Sequence, residues 1–132
     1  MINKEKKTIL VVDDDYDYLV QMKSILTSMN FEVLTADSQK EAENIIEKTK
    51  PDLAILDLMM EKHDTGFILC HIIKDRYPDV PIIIASAVTA ETGMLFDVDS
   101  DENREWIKAD LFLDKGIRSD QLQKEIHKLL KI

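Results

Sequence analysis

The chain has 132 residues, enough for one ordinary domain that buries about two-thirds of the surface its unfolded form exposes. Apolar residues make up 45% and charged residues 33%, a globular balance that excludes disordered and collagen-like classes. A formal net charge of −9 opposes nonspecific attraction to nucleic-acid phosphates or anionic lipid, so the expected partners are proteins and cations, with no nucleic acid and no membrane among them.

The chain opens with a basic segment, Met1 to Lys7, followed by the apolar run Ile9-Leu10-Val11-Val12. That run is too short for a signal peptide or a membrane span, so the expected location is the cytoplasm. It is the first of five strand signals. The others are Phe31-Glu32-Val33-Leu34, Leu53-Ala54-Ile55-Leu56, Ile82-Ile83-Ile84-Ala85 and Leu111-Phe112-Leu113. Four of the five lack polar alternation, which marks strands buried on both faces in a mostly parallel, helix-covered sheet.

Helical periods separate the strands. Tyr18, Leu19, Met22, Ile25, Leu26 and Met29 recur at three- and four-residue steps, as do Ala42, Ile45 and Ile46. Ser38-Gln39-Lys40-Glu41 reads as a capping box that opens the second helix, and Pro51 helps end the connection to the third strand. Phe67 to Arg76 forms a third helix, with the sole thiol, Cys70, expected in the core. Leu122, Ile126, Leu129 and Leu130 form the apolar face of the last helix. Right-handed βα crossovers fold such a chain into a doubly wound α/β sheet with helices on both faces. Five strands suit the flavodoxin-like order 2-1-3-4-5, which places ligands beyond the carboxyl ends of the first and third strands. No repeat or linker interrupts the chain, so residues 1–132 read as a single domain.

The residues after the strands are scattered in sequence but converge in that fold. They are Asp13-Asp14-Asp15 after the first strand, Asp57 after the third, Ser86-Ala87 after the fourth, and Asp114-Lys115 after the fifth. Two carboxylates about 4 Å apart repel by roughly 4 kcal/mol at an effective dielectric near 20, so the cluster calls for a compensating charge. A divalent cation such as Mg²⁺ takes oxygen ligands and retains several waters, which suits one or two carboxylates, a backbone carbonyl and a phosphoryl oxygen. A carboxylate can act as a nucleophile toward phosphorus, and phosphoryl transfer is then governed by positioning and by cations on the equatorial oxygens. Asp57, the Ser86 hydroxyl and the Lys115 ammonium supply such a set.

On these residues the chain resembles the receiver domain of two-component response regulators, over residues 8–131. The matching segments are Ile9 to Asp15, Pro51 to Met60, Pro81 to Ala87 and Phe112 to Lys115, in the family's order. The resemblance implies a signalling switch, not an enzyme with an external substrate. Asp57 is then the phosphoacceptor, Asp14, Asp57 and the Met59 carbonyl ligate Mg²⁺ or Mn²⁺, and Asp13 helps largely through water. It implies further that Ser86 bonds the phosphoryl group and that Phe112 is an aromatic switch turning inward afterwards. The implied donor is a phosphohistidine on a sensor histidine kinase or histidine phosphotransfer protein, and the output is a contact with a downstream protein. With no output domain after Ile132, signalling is expected to pass through that contact, unless the chain is a piece of a larger regulator.

The pattern breaks at several places. Gly116 follows Lys115 where receivers usually carry a cis proline, and a cis bond before a non-proline residue costs about 2.5–4 kcal/mol, so a trans bond is expected. Glu61 replaces a proline after Met60, and Gly66 comes one residue late. Residues 88–109 make the stretch from Ser86 to Lys115 longer than the resemblance implies, so the fourth helix of the pattern must be altered. Asp97, Asp99, Asp101, Glu102 and Glu105 make this stretch acidic. A Ca²⁺-loop reading of it fails, because Glu102 stands where glycine is needed and Lys108 where the bidentate glutamate is needed. A solvated loop is the reading favoured there, with Trp106 packed against the sheet.

Asp15 and Asp17 read as acids that favour a helix N-terminus. His63, His71 and His127 lack ligand spacing and read as surface or packing residues, with His63 placed to influence dephosphorylation. Lys115 alone would be a solvated surface lysine and Ser86 alone a strand-end cap, and Phe112 has a static core role as its alternative. Two other functions compete. A haloacid-dehalogenase-type phosphatase would use Asp13 as nucleophile, but the chain has no room for a cap domain and Asp17 stands where that family prefers threonine or valine. A phosphorylation-independent receiver-like interaction module is the other, suggested by Gly116 and Glu61. Flavin binding is allowed by the fold alone, yet four acids among Asp13 to Asp17 would repel its phosphate.

Overall fold

The computed structural model describes residues 6–58, 65–86 and 109–132. Five strands run as β1 (Thr8–Val12), β2 (Glu32–Ala36), β3 (Leu53–Asp57), β4 (Ile82–Ser86) and β5 (Leu111–Asp114). Helices α1 (Tyr16–Ser28), α2 (Gln39–Lys48) and α3 (Thr65–Arg76) separate the first four strands, and a C-terminal helix (Ser119–Leu130) closes the order. The sheet is parallel throughout, in the order β2-β1-β3-β4-β5. This is the arrangement expected from the alternation of apolar runs and helical stripes.

Side chains alternate between faces along each strand, so one strand feeds two cores. Leu10, Val12, Ala54, Leu56, Ile82 and Ile84 pack with Ala42 and Ile46 of α2 and Leu69, Cys70 and Ile73 of α3. The intervening Ile9, Val11, Leu53, Ile55, Ile83 and Ala85 pack with Leu19, Met22 and Leu26 of α1 and Leu122 and Ile126 of the C-terminal helix. Every one of these strand residues is buried, which explains why the central strands show no polar alternation. Cys70 is fully buried in the first core.

The element ends differ in informative ways. Phe31 was expected to open the second strand but lies before it, in the turn after α1. There Asn30 adopts a left-handed conformation at φ 72°, its N–H donates to the Thr27 carbonyl, and the Phe31 N–H donates to the Leu26 carbonyl. This is a Schellman closure, and Phe31 and Leu26 share the core behind it. Asp15 caps α1 by accepting from the Asp17 and Tyr18 N–H groups at 3.0 and 3.3 Å. Ser38 caps α2 by accepting from the Glu41 N–H at 3.1 Å, while the returning Glu41 carboxylate takes the Asp37 N–H, one residue before the cap. Helix α3 starts two residues earlier than Phe67, at Thr65. The expectations for Met59, Glu61, His63, the altered fourth helix, the acidic segment 97–105 and Trp106 fall outside the described residues.

Candidate phosphoacceptor site

Parallel pairing brings the strand ends together. Val12 lies opposite Leu56, Asp57 opposite Ala85 and Ser86 opposite Asp114, so the residues at and just beyond those positions share one rim of the sheet. Asp57 and Ser86 are the last residues of their strands, and their backbone is held in the ladder. Asp13 follows β1, with its N–H donating to the Ala36 carbonyl at 3.1 Å.

Asp13 has no exposed surface, Asp57 is 7% exposed, and Asp14 is exposed. One carboxylate oxygen from each lies within 4.8 Å of the others. The Lys115 ammonium reaches into this group, 2.6 Å from Asp13 Oδ2 and 3.1 Å from Asp57 Oδ1. Asp13 Oδ1 accepts the Asp15 N–H at 2.9 Å. Its Oδ2 is buried, and although ion-paired at short range with Lys115 it lacks a hydrogen bond of good alignment. A buried carboxylate oxygen with unused acceptor capacity, beside two more acids, fits a hard cation with oxygen ligands.

Charge crowding is visible in the acid–base balance. Burial, and then the neighbouring Asp13 charge, push the Asp57 carboxyl from 3.8 up to about 6 against the opposing pull of Lys115. Burial alone would lower the Lys115 ammonium, but pairing with Asp13 and Asp57 outweighs it and holds the group above its ordinary value. Burial also pushes the Tyr18 phenol up to about 12, so that side chain stays neutral.

Lys115 reaches the acids without a cis bond, since the described residues contain none. Its backbone N–H donates to the Ser86 carbonyl at 3.0 Å, and the turn behind it is tied by Asp114. The Asp114 side chain accepts from the Gly116 N–H at 2.7 Å, and its carbonyl accepts from the Ile117 N–H at 3.0 Å. With Gly116 in place of a cis proline, the ammonium still reaches both acids.

Ser86 is 3% exposed at the end of β4. Phe112 is half-buried, opposite Ile84, and packs on the core shared with α3. His127 packs edge-on against Phe31, well removed from the acids. Two further contributors are Gly66, read from the sequence only as a glycine one residue late, and Tyr18, which the sequence shows only as part of an apolar stripe. Gly66 lies against β3, where an added Cβ would overlap the Asp57 carbonyl and come within 2.9 Å of the Leu58 carbonyl. Tyr18 places its ring 4.8 Å from the Lys115 ammonium. Within an apolar stripe its only distinguishing signal is its position, one turn into the helix that begins at the acids.

The family model of the response regulator receiver domain matches residues 9–127, and the chain belongs to that family. It is therefore a receiver domain, a phosphoacceptor signalling switch of two-component systems. Among curated relatives, the probable transcriptional regulator ycf27 of Cyanophora paradoxa is 32% identical over 126 residues, covering 96% of this chain and 49% of that protein. The heme response regulator HssR of Staphylococcus aureus (strain MRSA252) is 38% identical over 78 residues, 59% of this chain and 34% of that protein. The chain spans about a third to a half of the length of the curated relatives it matches.

Solved structures agree. A CheY-like receiver domain protein from Methanospirillum hungatei JF-1 superposes with a TM-score of 0.80 at 25% identity, covering 96% of this chain and 95% of that one. The response regulator TrrA from Thermotoga maritima, solved in complex with Mg²⁺ and BeF, superposes with a TM-score of 0.75 at 28% identity, covering 93% and 98%. Among the described residues no helix is long and apolar enough to cross a membrane.

Proposed function

We propose that residues 1–132 form one receiver domain in which Asp57 accepts a phosphoryl group from the phosphohistidine of a sensor histidine kinase or a histidine phosphotransfer protein. The observation that carries this reading is the meeting of Lys115 with Asp13 and Asp57, delivered from three different strand ends. Asp57 suits the acceptor role better than Asp13, the nucleophile of the phosphatase alternative. Asp13 is fully enclosed, with one oxygen holding the Asp15 N–H and the other against Lys115, whereas Asp57 keeps some exposure at the rim.

Asp13, Asp14, Asp57 and the Met59 carbonyl would hold Mg²⁺ or Mn²⁺, whose charge, when bound, offsets the negative charge of the transferring phosphoryl oxygens. The chain's own groups do the rest. An Asp57 carboxylate oxygen forms the new P–O bond as the donor's P–N bond breaks, and the imidazole departs with that electron pair. The Lys115 ammonium faces one equatorial oxygen and the Ser86 hydroxyl donates to another. Drawing Ser86 toward the phosphoryl group leaves space into which Phe112 turns. The surface around β5 then changes its preference for a downstream protein, to the extent that the phosphoryl group binds one state better than the other. The domain catalyses only its own phosphorylation and dephosphorylation, and it works in the cytoplasm.

Intact-mass measurement after exposure to a small acyl phosphate tests this. The expected result is one phosphoryl adduct in the presence of Mg²⁺, localised to Asp57 and absent with chelator or in Asp57→Asn. An adduct on Asp13 would favour the phosphatase-type reading. No adduct under any condition would leave the phosphorylation-independent module.

A further inference from the structure

The Lys115 side chain is a flexible four-carbon stem whose ammonium has to stay aimed at the phosphoryl position. Its backbone is held by the Lys115 N–H on the Ser86 carbonyl and by Asp114 on the Gly116 N–H, but that hold does not extend along the stem. Two sides of the ammonium are taken by Asp13 and Asp57. A third is taken by the Tyr18 ring, with its centroid 4.8 Å away. Tyr18 and Lys115 also line one small cavity, walled on part of its surface by Met22, Ile25 and Leu113 and on the rest by polar groups that include Gln21 and Ser119, so the stem has apolar neighbours on one side.

An ammonium beside apolar walls loses hydration and is driven toward solvent unless something replaces the lost water. The electron-rich face of an aromatic ring does so, whereas an aliphatic side chain of similar bulk does not. We infer that Tyr18 is a positioning residue: its ring holds the Lys115 ammonium over the Asp57 carboxylate. This rests on the proposed role of Asp57 and Lys115 in phosphoryl transfer. It assigns no role to the phenolic hydroxyl, so phenylalanine is expected to substitute for tyrosine and leucine is not.

The test compares wild type, Y18F and Y18L in three measurements: the rate of Asp57 labelling by a small acyl phosphate at saturating Mg²⁺, the affinity for Mg²⁺ alone, and the proton shifts of the Lys115 Cε methylene. The ring face should move those methylene signals upfield in wild type and in Y18F. In Y18L they should return to the position of a free lysine. The labelling rate of Y18L should fall roughly five- to thirtyfold, the loss of a partly desolvated cation–π contact, with Mg²⁺ affinity unchanged. Y18F should restore the rate. Should leucine unfold the domain, Y18M, which fills the same space without an aromatic face, takes its place. Labelling of Y18L at the wild-type rate, or labelling of Y18F as slow as Y18L, would overturn the inference while leaving Asp57 as the acceptor. A wild-type chain that takes no label on Asp57 would overturn the proposed function, and this inference with it.

Discussion

Asp57 binds its proton more tightly in the folded chain than in the unfolded one, at about 6 against an ordinary 3.8, because burial and the Asp13 charge disfavour its ionised form. A carboxyl shifted in this direction holds more protons folded than unfolded between those values, so its contribution makes stability fall as pH rises from about 4 to about 6. The cost is on the order of 2–3 kcal/mol above that window. In chelator, Asp57→Asn should therefore lose most of this slope and gain stability at neutral pH, measured by urea unfolding across the window. A wild-type stability that gains on that of Asp57→Asn as pH rises through the window would contradict the assignment. Lys115 pulls the other way on the same carboxyl, so Lys115→Met should move the Asp57 midpoint still higher, readable from the ¹³C shift of its carboxyl carbon. The sequence made Asp13, Asp14, Asp57 and Lys115 legible as a group because each follows an apolar run. It did not distinguish the enclosed Asp13 from the exposed Asp14, since both follow the same strand.

The strand interiors were legible because burial on both faces leaves no polar residue within them. Their ends were not, and the reason is functional: Asp57, Ser86 and Asp114 are polar side chains on residues whose backbone still belongs to the ladder. The start of β2 was misplaced for a different reason, because the buried Phe31 closes the α1 turn and does not pair. Gly66 shows how tightly α3 meets β3. Gly66→Ala would bring a methyl group against two backbone carbonyls that cannot yield without moving Asp57. It should cost about 1–3 kcal/mol and slow labelling, as checked by thermal unfolding and by the adduct rate together. Ser38→Ala removes the cap of α2, whose hydroxyl bonds the Glu41 N–H and not the acids. It should cost about 0.5–2 kcal/mol by urea unfolding while leaving labelling unchanged.

Across the whole molecule, the acid cluster couples cation binding to folding, since an unfolded chain does not hold Asp57 beside Asp13 and Asp14. Mg²⁺ should therefore stabilise the domain by about 2.7 kcal/mol when its concentration is a hundred times the dissociation constant, and chelator should remove the gain. A melting temperature insensitive to Mg²⁺ would oppose the reading of the cluster as a metal site. Phe112 packs on the core shared with α3, on the opposite face of the sheet from Tyr18 and α1. Phe112→Ala should leave Asp57 labelling intact and abolish the response of a downstream protein, measured by comparing partner affinity with and without label.

The alternation of apolar runs with helical stripes was enough to decide the doubly wound sheet and its strand order, because hydrophobic period is a local property and only a few right-handed topologies bury all five runs. Where each side chain at the rim points was decided by tertiary structure. Lys115 between Asp13 and Asp57, the Tyr18 ring against its ammonium and Gly66 against the Asp57 carbonyl are all matters of ångströms between different elements of the fold. Such distances follow from strand register and from how helices settle on the two cores, and no local pattern of residues records them.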